Sequence, residues 1–231
     1  MKKALFIISV ILISISAKSQ SAKMLYDSTR TVLEEMLEGK TPADFKKAVY
    51  LVENSYLDGN LSYKDFCEAI DFYKHLCEGL ISVRELQYQE SDKQQVSIYA
   101  AVFTVMKDTV PIEVEEGKII YNLPLVYDFE NIAGEKDWTK MFVSNLLMTS
   151  KGNCHSLPYL YKILVEELGG EAYLAYAPNH IYIKHHSKAF GWYNTELTSG
   201  MFPIDSWLMA SGYIHLGAIQ NGVYMDTLSA K

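Results

Sequence analysis

The sequence predicts an α+β protein, helical through its first half and mixed in its second, where an antiparallel sheet packs on a cysteine-bearing helix. Three observations predict it. Between residues 21 and 110 apolar side chains recur at three- and four-residue steps, the period of amphipathic helices. Lys151–Gly170 then holds one further helical stripe, Leu157, Leu160, Leu164 and Leu168, with a lone cysteine, Cys154, at its start. Finally, His180–His186 alternates in the two-residue rhythm of a strand, and Phe190–Leu197 reads as a second strand after a short loop.

In chain order, Lys2-Lys3 precede an apolar run, Ala4–Ile15, and a more polar stretch in which Ala17 and Ser19 sit three and one residues before a cut at Gln20. That is the layout of a secretory signal peptide over residues 1–19, so the protein is expected to be exported, periplasmic or secreted. The run is shorter than the about 20 residues of a spanning helix, and no cysteine follows it to carry lipid. No stable membrane insertion is expected after cleavage. The rest divides into a helical region, 20–110, and a core, 111–231.

A composition of 49% hydrophobic and 21% charged residues suits a globular core. A net charge of −7 without a basic cluster argues against nucleic acid and anionic membranes as partners. Three cysteines cannot all pair within one chain, so at least one thiol is free. Cys67 and Cys77, ten residues apart on one helix, would be separated by about 15 Å and should both stay reduced.

Within the helical region, Met24, Leu25, Val32, Leu33, Met36 and Leu37 form one stripe ending at Gly39. Thr41-Pro42-Ala43-Asp44 reads as a start signal with Thr41 as cap and Pro42 at the first helical position. Asp58-Gly59-Asn60 breaks that helix, and Leu61 or Ser62 starts the next, carried by Phe66, Ile70, Tyr73 and Cys77 to Gly79. Residues 94–107 give another helix. Lys118–Tyr127 is rich in strand formers but contains Pro124, so it is expected to be a short or edge strand. Trp138–Met148 reads as a helix that ends at Thr149–Gly152.

Pro158 fits only near a helix start, and Gly169-Gly170 supply its left-handed stop. Cys154 therefore lies at a helix N-terminus, where free N–H groups and the macrodipole favour a thiolate. Ala172–Ala177 is a strand and Pro178-Asn179 a turn. With an odd loop between the next two strands, His180 lies opposite Glu196, and Asn194 shares that face; a two-residue loop would bring Thr195 there instead.

Nucleophile at a helix start, base on a following strand and an orienting group on the next is the order of a papain-like site. Lys151–Leu168, Ala177-Pro178-Asn179-His180 and Gly191–Thr198 resemble the core of the bacterial transglutaminase-like superfamily, a permuted-papain group of thiol acyltransferases and peptidases. The resemblance covers roughly the last half of the chain. It implies a papain-like core, Cys154 as nucleophile and His180 as base, with Glu196 at the family's aspartate position in Trp192–Thr198. Glutamate is one methylene longer than aspartate, so Glu196 or Asn194 could orient the imidazole. The implied activity is exported thiol acyl chemistry, peptide or amide hydrolysis or transfer to an amine, on peptide or protein substrates that include cell-wall peptide or glycan. The Cys154 backbone N–H would serve the oxyanion hole. No cofactor is implied.

The competing reading is a binding module that keeps the fold without turnover. A metal site drawn from Cys154, His155, His185 and His186 is disfavoured, because adjacent strand residues point to opposite faces. His155, next to Cys154 on a helix, is expected to face solvent. Asp205 is expected to cap a turn at Ser206–Met209, and Tyr173, Tyr176, Tyr182 and Tyr193 to pack around the groove.

Overall fold

In the computed structural model of the chain, residues 20, 22–114, 117–132, 134–211, 214, 216–222 and 224–228 are described. The expected signal peptide, residues 1–19, and His215 lie outside them. The chain is mixed α and β. It forms two compact units, residues 1–66 with 230–231, and residues 67–229. The expected boundary at 110 thus falls inside the second unit, and the division lies within a helix.

The first unit holds helix α1 (22–37), α2 (Phe45–Tyr56) and the start of α3 (Tyr63–Val83). Asp44, not Thr41, caps α2: its carboxylate accepts from the Lys47 N–H at 2.8 Å. An aspartate satisfies an orphan donor and favours the positive helix end at once, so the helix starts at Phe45, three residues past Pro42. Asp58 and Gly59, both at positive φ, close α2, and the Ser62 hydroxyl accepts from the Asp65 N–H to open α3. The Thr29 and Ser55 hydroxyls bond at 2.7 Å between α1 and α2, and the Tyr50 ring packs on Tyr63 and Phe66.

In the second unit α3 runs on through Gly79 to Val83. A mid-helix glycine costs about 1 kcal/mol, too little by itself to stop a helix. Cys67 and Cys77 on α3 are both free, Cys77 buried. After α4 (Lys93–Lys107) comes a hairpin absent from the sequence reading, β1 (Val110–Glu113) against β2 (Ile119–Asn122). Pro124 ends β2, and β3 (Val126–Tyr127) pairs in parallel with β4 (Lys151–Gly152). The expected Trp138–Met148 helix is broken: a 3-10 turn, Trp138–Met141, gives way at an extended Phe142 to α5 (Val143–Thr149).

Ser150, at φ 56°, turns the chain from α5 into β4, and α6 (Ser156–Glu167) follows. β5 (Tyr173–Ala177), β6 (His180–Ser187) and β7 (Gly191–Thr195) form an antiparallel sheet in that order. One face, through Ile181, Ile183 and His185, turns to α6. There His185 is fully buried, its ring stacked on Tyr99 at 3.9 Å and packed near Tyr161 and Tyr193. Burial pushes its pKa down to about 3. The other face, Ala175, Ala177 and Tyr182, packs with Leu208 of α7 (Asp205–Ser211), Ile214 and Met225, and is flanked by α8 (Leu216–Gln220). Asp205 is the first residue of α7; its carboxylate accepts from Asn194 at 2.7 Å and lies 3.8 Å from the buried Lys184 ammonium.

Candidate active site

The site is built on the four residues that lead into α6. Gly152 has no room for a side chain: a Cβ there would lie 2.6 Å from the Ser156 hydroxyl and 3.0 Å from Leu146 Cδ1. Its carbonyl accepts from the Asp128 N–H at 2.7 Å, which ties this stretch to β3. The buried Asn153 follows. Its side-chain oxygen accepts from the N–H groups of His155 (2.9 Å) and Ser156 (3.3 Å), while its own N–H donates to the Ser156 hydroxyl at 3.0 Å. These reciprocal bonds form a capping box. The Asn153 carbonyl already accepts from the Leu157 N–H, and Pro158, lacking an N–H, asks nothing of the Cys154 carbonyl.

Cys154 is held in the turn that this box closes, one step before the regular helix. It is 5% exposed, and its Sγ lies 3.7 Å from His155 Nδ1 and 4.0 Å from the Asn179 carbonyl oxygen. His180, which lines the same cleft, also favours the thiolate electrostatically. His155, partly exposed, is therefore not turned away from the sulfur. The expected divergence of neighbouring side chains belongs to a regular helix, and in this turn the imidazole folds onto the sulfur.

The turn Pro178-Asn179 delivers His180 to the mouth of β6, with Asn179 in the left-handed region at φ 55°, a conformation asparagine tolerates. His180 Nε2 pairs with Glu196 Oε2. The other carboxylate oxygen accepts from the Thr198 N–H (2.8 Å) and hydroxyl (2.7 Å), and the Glu196 backbone is fixed by a bridge to Met201.

The loop between β6 and β7 is odd, as the face assignment needs, but it spans 188–190 and the register is shifted by two. Lys184 pairs with Asn194 and Ile183 with Thr195, so the ladder carries Glu196 toward Tyr182 rather than directly opposite His180. The shift keeps every residue on its face. The longer glutamate reaches His180 along the diagonal, which a shorter carboxylate would reach less well. Asn194 does not join the site: its amide donates to the Pro203 carbonyl and to Asp205. Thr195 turns to the other face, 3.0 Å from His185 Nδ1.

Electrostatically the three groups act as one unit. Burial raises the Cys154 thiol, but hydrogen bonds and charges from His155 and His180 outweigh it and bring the pKa down to about 6. Burial likewise opposes the His180 cation, yet hydrogen bonds from Cys154 and Glu196 raise its pKa to about 9. Glu196 is pushed up by burial and pulled below the usual range by His180 and Thr198. Near neutral pH the arrangement is thiolate, imidazolium and carboxylate in a row.

Cys154 and His180 border a cleft of about 880 Å³, walled by Tyr127, Trp138, Met141, Tyr159, Tyr176 and Tyr224. The Cys154 N–H meets no protein acceptor among the described residues, which leaves it available to an incoming oxygen. Sequence reasoning missed His155 as a sulfur neighbour and Thr198 as the anchor of Glu196. The Asn153-x-x-Ser156 spacing carries the capping signal, and Thr198 stands in the same Trp192–Thr198 string as Glu196. Among the described residues, no group of three or more His, Cys, Asp or Glu side chains is arranged to hold a metal, and no helix is long and apolar enough to cross a membrane. Searches against protein-family models, curated proteins and solved structures returned no match to this chain.

Proposed function

We propose that this chain is an exported, thiol-dependent acyl-transfer enzyme, a peptide or amide hydrolase or a transglutaminase-like transferase, with a papain-like disposition of its site. The observation that carries the reading is Cys154 and the Glu196-paired His180 lining one cleft, with the thiol lowered to about 6 and the imidazole raised to about 9. Perturbed, mutually supporting groups in a cleft are what nucleophilic catalysis requires.

In this mechanism the Cys154 thiolate attacks the acyl carbon, and the carbonyl oxygen gains negative charge facing the Cys154 N–H. The imidazolium of His180 gives its proton to the leaving nitrogen as the C–N bond breaks, leaving a thioester. Water or an amine then attacks that thioester, His180 takes the nucleophile's proton, and the C–S bond breaks to restore the thiolate. Glu196, anchored by Thr198, fixes the His180 tautomer and balances its charge. The aromatic walls suit peptide or glycan surfaces, and extracytoplasmic peptide or protein, including cell-wall peptide, is the substrate class of this reading.

The test is labelling and turnover together. An active-site-directed thiol reagent should modify Cys154 at mildly acidic pH, where an ordinary thiol of pKa about 8.5 is largely protonated. Cys154→Ser should abolish hydrolysis of a peptide-library substrate while preserving the circular dichroism spectrum. A wild-type Cys154 that reacts no faster than a free thiol would refute the catalytic reading and leave the cleft as a recognition site.

A further inference from the structure

We propose that His155 is a second catalytic imidazole at Cys154, donating from Nδ1 to the sulfur as it departs, while His180 manages the proton of the attacking nucleophile. The proposal rests on the reading of Cys154 as nucleophile and adds a residue and a division of labour to it.

The geometry is specific. His155 Nδ1 stands 3.7 Å from Sγ. The peptide that carries the ring is pinned on both sides: the His155 N–H donates to Asn153 Oδ1 at 2.9 Å, and its carbonyl accepts from the Tyr159 N–H at 3.0 Å. The ring meets Tyr159 edge-on, with centroids 6.3 Å apart. His155 also lines the cleft, so a substrate at Cys154 passes beside it.

The two imidazoles differ in what holds them. His180 is bound through Nε2 to Glu196, whereas no carboxylate pairs with the His155 ring among the described residues. The groups facing the sulfur are His155 and Tyr159 from the α6 side, and His180 with the Asn179 carbonyl from the turn before β6. Tyr127 of β3 and Glu196 complete the set, and Glu135 is the one carboxylate among the other cleft-lining residues. Glu196 is itself engaged by His180 and Thr198.

The chemistry divides naturally between them. In thioester breakdown the nucleophile's proton goes to His180, the C–S bond breaks and its electron pair returns to Sγ. Negative charge thus appears on sulfur while His180 is occupied with the incoming proton. A donor already aimed at Sγ stabilises that charge where it develops. During acylation the same contact helps keep the resting sulfur ionised, in line with the hydrogen bond from His155 that lowers the thiol.

The experiment uses the full chain, with His155→Ala, His155→Gln, His180→Ala and the double alanine variant. Iodoacetamide labelling of Cys154 across pH reads the thiol, and p-nitrophenyl acetate reads the burst of acylation against steady turnover. His155→Ala should raise the thiol midpoint by about one unit, slowing labelling at pH 6 up to about tenfold. His155→Gln, which keeps an N–H donor, should recover part of that shift and also serves if the alanine variant misfolds. The double variant should label like a free thiol. With p-nitrophenyl acetate, both His155 variants should keep their burst and lose steady-state rate, because thioester breakdown is the step they impair. If neither His155 variant moves the labelling profile or the burst-to-steady ratio while His180→Ala moves both, the role of His155 is overturned and the His180 reading stands. If the wild-type thiol itself titrates as an ordinary one, both are overturned.

Discussion

Replacing Cys154 by serine should make the folding stability of this protein newly sensitive to alkali. The reasoning is a count of protons. In the unfolded chain, between about pH 6.5 and 9, the imidazole of His180 is neutral and the thiol of Cys154 is protonated, so the two hold one proton. In the native protein over nearly the same range the thiol is ionised and the imidazole is charged, which is again one proton. Separately, His180, raised from 6.5 to about 9, gives stability that is present below 6.5 and lost as pH rises to 9. Cys154, lowered from 9.0 to about 6, gives the opposite, a gain as pH rises. The two slopes cancel, and the wild type should draw no pH dependence from this pair. Serine does not titrate, so the variant keeps only the His180 limb. Its stability should fall by about 1.4 kcal/mol per pH unit from 6.5 up to whatever pKa Glu196 alone sustains, a loss of about 1–2 kcal/mol in all. Chemical denaturation of wild type and Cys154→Ser from pH 6.5 to 9 measures it directly. Superimposable profiles would show that no proton passes between sulfur and imidazole, and the charged pair at the heart of the mechanism would be lost.

Four further outcomes follow from particular contacts. Gly152→Ala should cost about 1–3 kcal/mol in denaturant unfolding, since its Cβ would press on a Ser156 hydroxyl already committed to Asn153. Asn194→Ala should leave the Cys154 labelling profile unchanged while lowering stability by about 1 kcal/mol, because its bonds run to Pro203 and Asp205; Glu196→Gln should shift the profile upward, since it removes the charge that holds His180. Cys77, raised to about 12 by burial and by Glu78, should resist alkylation until the chain is unfolded, and reducing and non-reducing gels should run alike.

Much of the site's placement was legible because it depends on local rules. A cysteine after Gly-Asn, a proline that only a helix start admits and an alternating strand bring Cys154 and His180 to element ends. Parity alone then puts Glu196 on the face of His180. Register is another matter: it was set by whether Phe190 belongs to the loop or the strand, and one residue at each loop end moved the pairing by two. The broken helix at Phe142 and the β1–β2 hairpin were hidden for a related reason. Their stability comes from pairing and packing partners distant in sequence, such as the Asn122 amide donating to the Val105 carbonyl at 2.9 Å. His155 was misjudged because helical geometry was extended one turn too far toward the N-terminus. Asn194 was a plausible third residue until Lys184 and Asp205 took up its surroundings.

Two of the imidazoles on strand β6 have opposite fates, His180 held near 9 and His185 near 3. The second has a consequence for endurance rather than chemistry. A histidine kept neutral by burial contributes stability that is complete above the unfolded value of 6.5 and is surrendered as pH falls toward 3, because the unfolded chain accepts a proton the native stack of Tyr99, Tyr161 and Tyr193 refuses. Over that interval the loss amounts to about 4–5 kcal/mol, a large part of what holds a domain together. His185 thus acts as an acid fuse seated on the same strand as His180. In an environment that sours, the Cys154 sulfur should take up its proton first, near pH 6, and the sheet should give way below that.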